Sequence, residues 1–203
     1  MQPTSKSILI RSKKQLAAIV SPVRQELVDA LAQMGTVSVS ELAATLGRPA
    51  DAIYYHLRVL KKAGLVLSAG ERGEGVRKEE LVSAVSEGLR LEYELGAKGN
   101  GREVMGIVGS MLRLGARDFR RAFEDGEVKV SGEERELWAL RRIGWLSAAE
   151  LGQVNRLIES LAQAVSKPRA AGRLYGVTLV LTPLDHRARN GSKKAKAKRA
   201  RTK

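Results

Sequence analysis

The stretch from Val37 to Gly64 encodes two helices joined by a turn too short to let them separate, which constrains the fold more than any other feature. Ser38-Val39-Ser40-Glu41 is a capping box: the Ser38 hydroxyl accepts from the Glu41 N–H while the carboxylate reaches back, with Val37 and Leu42 spaced as a hydrophobic staple. The helix it opens is brief, Glu41 to Leu46, with Leu42, Ala43 and Leu46 on the inner side. Gly47 closes it, Arg48 and Pro49 make the turn, and a second helix is predicted from Ala50 to Ala63. Ile53, Leu57 and Leu60 recur by four and three, which puts them on one buried face, and Gly64 supplies a stop.

The flanks extend the pattern. Ser21-Pro22 opens an upstream helix carrying Val23, Leu27, Ala30, Leu31 and Met34 at helical spacing, ended by Gly35; Leu16, Ala17, Ile19 and Val20 predict a short helix before it. Downstream, Leu65-Val66-Leu67 begins a strand, residues 70–75 have the glycine density of a hairpin tip, and a return strand follows from Val76 to about Val85. Leu89, Leu91, Tyr93 and Leu95 alternate like a further strand. Helix, short helix, tight turn, longer helix and glycine-tipped hairpin is the order of a winged helix-turn-helix. In that fold the second helix of the pair fits the major groove, about 12 Å wide, and the hairpin reaches an adjacent backbone or minor groove.

The second half reads differently. Three glycines between Gly96 and Gly101 mark a linker, and Arg102 to Glu124 forms a long helix. Its apolar stripe is Val104, Val108, Met111, Gly115, Phe119 and Ala122, widened by Met105, Leu112 and Phe123, and must pack on something. Ser131 starts a candidate helix through Leu137, Trp138 and Leu140. Ser147-Ala148-Ala149-Glu150 is a second capping box, leading into Val154, Leu157, Ile158, Leu161 and Val165. Leu174 to Leu181 reads as a buried strand stopped by Pro183. Trp138 and Trp145, near Arg141 and Arg142, either pack in a core or wall a ligand pocket, and helical spacing favours the core. The fold class is therefore mainly α with a small β-sheet: an N-terminal winged helix-turn-helix and a C-terminal α/β part that is mostly helical. The expected organisation is a basic arm (1–14), the winged domain (15–95), a linker (96–101), a C-terminal domain for dimerisation and effector binding (102–186), and a disordered basic tail (187–203).

Charge placement bears on the partner. The 203-residue chain carries a net charge of +14, yet nine Lys/Arg fall in 187–203 and four in 1–14, with no acid in either, leaving 23 bases against 22 acids in the body. Cationic arms on a near-neutral body suit a polyanion, because each neutralised phosphate releases condensed counterions. A solubilising tail is the bland alternative. The absence of cysteine removes disulfides, thiol chemistry and thiolate metal sites, and with only His56 and His186 no dedicated metal site is expected. No cofactor is implied. The glycines at 96–101 lack the Gly-Lys-Ser/Thr ending of a phosphate-binding loop, and no serine, histidine and acid cluster marks an enzyme. No apolar run approaches the ~18 residues of a membrane span, and no secretory signal is legible, so a cytoplasmic protein without membrane contact is expected.

Residues 21–85 resemble the ArsR-type winged helix regulators of bacteria and archaea. The resemblance is carried by Ser21-Pro22-Val23-Arg24, by Val39-Ser40-Glu41-Leu42-Ala43, and above all by the run from Ile53 to Val66 with its His56-Leu57 and Ala63-Gly64-Leu65-Val66. It covers about a third of the chain and implies a transcription regulator, usually a repressor, that binds double-stranded DNA as a homodimer through its outer helices. The cysteine motifs of the metal-sensing branch are absent, which leaves any small-molecule effector open. Asp51 and Ala52 stand where many relatives have Ser or Thr, so base preference does not transfer. The resemblance places Arg48, Asp51, Ala52, Tyr54 and Tyr55 on the exposed early face of the reading helix, with Arg58 one turn later. Arg72, Arg77 and Lys78 in the wing are phosphate or minor-groove candidates, diluted by Glu71, Glu74, Glu79 and Glu80. Asp51 either accepts from a cytosine amino group or favours the helix N-terminus. Tyr54 packs between helices or reads DNA, and His56, at the border of the buried face, is expected to make a structural hydrogen bond rather than to contact DNA or sense pH. The competing readings are an architectural, nucleoid-type protein with mainly non-specific binding, and a winged-helix module for protein interaction.

Overall fold

The computed structural model describes residues 7–73, 78–166 and 172–184. Strand β1 (Ser7–Ile10) comes first and ends on a fully buried Ile10. Ser12 then caps α1 (Lys13–Ile19) by accepting from the Gln15 N–H. Helix α2 (Pro22–Met34) starts with Pro22, whose missing N–H has no helical partner to lose. After β2 (Val37–Ser38) both halves of the Ser38/Glu41 capping box are formed, and α3 (Val39–Thr45) begins two residues earlier than expected. Gly47, at φ +59°, makes the turn in a conformation that side chains disfavour. Helix α4 (Ala50–Lys62) then buries Ile53, Leu57 and Leu60, the face that the spacing predicts.

Strands β3 (Val66–Arg72) and β4 (Glu79–Ala84) form the antiparallel hairpin of the wing, in register from Val66 opposite Ala84 to Arg72 opposite Glu79, with a shift between Ser68 and Glu71. Strand β2 pairs on the other side of β4, giving a sheet of order β2-β4-β3. β5 (Gly88–Leu91) lies parallel to β1, Ser7 opposite Gly88 and Ile10 opposite Leu91. The alternation reaching Tyr93 and Leu95 does not continue as strand; both side chains are exposed. One hydrophobic core collects Leu16 and Ile19, Leu27 and Leu31, Val39 and Leu42, Ile53, Leu57 and Leu60, Val66 and Val82.

Helix α5 (Gly101–Asp125) is rooted in that core. Before it, Asn100 is buried, donating to the Glu92 carbonyl at 2.7 Å and accepting from the Glu94 N–H at 3.1 Å. A Cβ on Gly99 would lie 1.9 Å from the Glu94 carbonyl oxygen, so only glycine fits this turn. Val104, Ile107 and Ser110 are buried, and Ile107 joins the main core. Gln25 donates from α2 to the carbonyls of Ile19 (2.7 Å) and Ile107 (3.2 Å), while Ser110 donates to the Val20 carbonyl. At Gly106 the helices approach so closely that a Cβ would stand 3.1 Å from Val20 Cγ1.

Past this root the packing thins to scattered contacts, Gly115 lying so close to Thr178 that a Cβ would stand 3.1 Å from its Oγ1. Leu112, Phe119 and Phe123 of α5 are exposed, the two phenylalanine rings stacked 6.5 Å apart. The Ser147/Glu150 box caps α6 (Ala148–Val165) as expected, yet no residue of α6 is buried. The expected helix through 131–140 does not form, and Trp138 and Trp145 are exposed rather than packed; the Arg135 guanidinium lies 4.3 Å above the Trp138 ring. Nor does 174–181 form a buried strand: it has no regular secondary structure, with Leu174, Val177, Leu179 and Leu181 exposed and no ladder partner among the described residues. A strand needs a neighbour for its backbone groups, and a single chain supplies none here. The molecule is mainly α with a small β component, a winged helix-turn-helix followed by a helical part, and no strand forms beyond β5 among the described residues. No helix among them is long and apolar enough to cross a membrane.

Candidate nucleic-acid interface

The surface of α4 opposite its buried face is built from the residues the sequence singles out. Asp51, Ala52, Tyr54, Tyr55 and Arg58 are all exposed on one helix, braced from below by α3. Tyr54 does not pack between helices; it is 45% exposed and borders a shallow depression with Leu57, Arg58, Lys61 and Glu80. Tyr55, 61% exposed, meets the ring of His56 edge-on at 5.4 Å. Arg58 makes no ion pair with another described residue. Asp51 lies in the first turn and Lys61 and Lys62 in the last, so charge follows the helix dipole at both ends.

Arg48 is placed differently from the rest. Its guanidinium is half-buried in the α3–α4 turn and bonds Glu26 Oε2 on α2 through Nε at 3.0 Å and Nη2 at 2.7 Å. Arg117 of α5 bonds the other oxygen, Oε1, at 2.6 Å. Burial pushes the Glu26 pKa up, but hydrogen bonds and charge from Arg117 and Arg48 outweigh it and hold the carboxyl below its ordinary value. The wing cations are paired too: Arg72 with Glu41 at 2.7 Å and Glu79 at 3.7 Å, Lys78 with Glu71 at 3.3 Å. Exposed pairs of this kind are weak and exchange readily for a phosphate. Arg77, the third wing candidate, lies outside the described residues, as do the tip at 74–76 and the tail from 185 onward.

Behind α4 the hairpin is tied down by Lys61, which bonds Glu80, itself accepting from the Ser68 hydroxyl at 2.7 Å. These bonds lower the Glu80 pKa, Lys61 first and Ser68 second. His56 does not make the expected hydrogen bond: its Nδ1 is buried with no partner among the described residues. Burial first, then the charges of Arg24 and Arg48, lower its pKa. Arg24 itself crosses the end of α1, donating to the carbonyls of Ala17 (3.3 Å) and Ala18. Sequence reasoning missed Glu26, Arg24 and Arg117. No local spacing could reveal them, since Glu26 meets partners 22 and 91 residues away.

Residues 19–69 match the family model of a helix-turn-helix domain. The matched span takes in α2, α3, α4 and the start of β3, and it stops well before α5. No curated protein matches the chain. The matched region is a helix-turn-helix, and α4 is its second helix.

Proposed function

We propose that the protein is a homodimeric, sequence-specific regulator of transcription, a repressor of the ArsR-like type, that reads double-stranded DNA with α4. The observation that carries this reading is the uncovered face of Asp51, Ala52, Tyr54, Tyr55 and Arg58, presented on a helix whose other face is locked into the core. Aromatic and guanidinium-bearing faces of this kind engage base edges and thymine methyls, while the paired cations of the wing trade their carboxylates for phosphates. Arg77 and Lys78 extend that wing surface in sequence.

Self-association is supported by the apolar surface left bare in one chain. The outer half of α5, all of α6 and the segment 173–184 expose leucines, valines and aromatics that one copy cannot cover. Two copies related by a two-fold axis cover such patches reciprocally and set two α4 helices about 34 Å apart, one turn of duplex. Effector binding belongs to the same outer region, and the basic tail adds sequence-independent affinity.

The test is selection of bound sites from a random duplex library. A regulator recovers a site with two half-sites about 10 bp apart. Recovery without sequence preference would instead identify an architectural DNA-binding protein.

A further inference from the structure

Three elements meet at Glu26. Its carboxylate, on α2, divides its oxygens between two arginines: Oε2 takes both bonds from Arg48, in the turn leading into α4, and Oε1 takes the bond from Arg117, on α5. The Glu26 side chain is only 16% exposed and Arg48 29%, so this pair is shielded better than the exposed pairs of the wing. With Asp118 beside Arg117, two carboxylates face two guanidiniums, and Glu26 is the one shared between them. Arg117 also has a second anchor, bonding Asp118 at 2.8 and 2.6 Å through Nε and Nη2. It can leave Glu26 without becoming unpaired.

We propose that Glu26 is a positioning residue that sets the Arg48 guanidinium in the duplex-facing turn and links it to the outer part of α5 through Arg117. The inference rests on the reading of α4 as the DNA-contacting helix. With Arg117 on Glu26, the carboxylate is shared and Arg48 keeps net positive character toward a phosphate. With Arg117 turned wholly to Asp118, Glu26 neutralises Arg48 and draws it back. Arg117 lies beyond Ser110, past the part of α5 embedded in the core, and between Leu112 and Phe119 of its exposed apolar side. Contacts made to that part of α5 thus have a direct path to the reading turn through one carboxylate. The pKa directions agree: Glu26 is lowered, and Arg117 is raised, by its bond to Glu26 first, against partial burial, with Asp118 adding to the rise.

The experiment is a mutant cycle on the full chain, binding the selected duplex across a salt series, with melting curves to check folding. Glu26→Gln frees Arg48 and steepens the salt dependence by about one counterion; adding Arg48→Ala removes that steepening. Arg117→Ala weakens binding by about three- to tenfold, the scale of coupling within one ion-pair network, and this effect disappears in the Glu26→Gln background. If Glu26→Gln does not fold, the Arg117→Ala and Arg48→Ala pair closes an equivalent cycle, in which the Arg117 effect vanishes without Arg48. Additive effects, or a salt slope unmoved by Glu26→Gln, overturn the link while leaving the DNA-binding reading intact. A wild-type chain that binds no duplex overturns that reading, and the link with it.

Discussion

Glu41 accepts a hydrogen bond from Arg72 at 2.7 Å, and so joins the bracing helix α3 to the wing strand β3. The other oxygen of the same carboxylate accepts from the Ser38 N–H at 2.8 Å and completes the cap of α3. One side chain thus fixes where the helix starts and where the wing lies beside it. The Glu41 carboxyl is held below its ordinary value by the Ser38 backbone bond first and by Arg72 second. A lowered carboxyl stabilises the fold above its unfolded value, and that contribution is lost as pH falls through the folded one. Wild type and Glu41→Gln are expected to differ in denaturant midpoint near neutral pH and to converge in acid. Ser38→Ala, which removes the hydroxyl half of the box, costs about 1 kcal/mol of stability. Urea titrations read both effects.

His56 gives a second dependence on pH, of the same sign from a different cause. Its folded pKa is lowered, by burial first and by Arg24 and Arg48 next, so the unfolded chain takes up the proton sooner. The His56 contribution to stability is therefore expected to fall as pH drops below about 6.5 and to level off beneath the folded value, opposed by Asp29, whose burial raises its carboxyl to about 6. His56→Gln should flatten this part of the curve, measured as the urea midpoint at a series of pH values. An unchanged slope in the variant would place the titration elsewhere, His186 being the other imidazole in the chain.

The base reading proposed for α4 is separable from simple attraction to phosphate. Tyr55→Ala and Arg58→Ala are each expected to weaken binding to the selected site by about 1–3 kcal/mol and to affect random duplex much less. Both positions are exposed, so the fold should survive. Equal losses on both kinds of duplex, in a competition assay, would remove these side chains from base recognition.

The exposed apolar face of α6 offers a direct handle on assembly. Leu157 is 70% exposed in the single chain and touches nothing in the main core. Leu157→Glu is expected to leave the melting of the N-terminal core unchanged and to weaken self-association more than tenfold, as a charge placed in a desolvated contact does. Sedimentation velocity over a concentration series checks it. Unaltered association would move the contact to α5 or to residues 173–184.

What the sequence made legible is what short-range chemistry decides. Both capping boxes formed, and the four-three spacing of Ile53, Leu57 and Leu60 placed the buried side of α4 and hence its free side. The pairing of β1 with β5 escaped notice because Ser7 to Ile10 is four residues long and its partner strand lies far along the chain. Helix 131–140 and strand 174–181 failed for another reason. An apolar pattern records that a face is to be covered, but not by which molecule, and Trp138, Leu174 and Leu179 find no cover within one copy. The Glu26 cluster was illegible for lack of any pattern at all: a charge on α2 means nothing until folding brings Arg48 and Arg117 to it.

The clasp around Asn100 and the tight seat of Gly106 against Val20 have a mechanical result. Helix α5, roughly 37 Å long at 1.5 Å per residue, leaves the body as a spar clamped at its base. In an assembly of two chains, the crossing of the two spars then dictates the gap between the reading helices. In the proposed dimer, substitutions toward Phe119 and Phe123 would change the separation of the two α4 helices from a distance, the way moving a brace resets the span of a bridge.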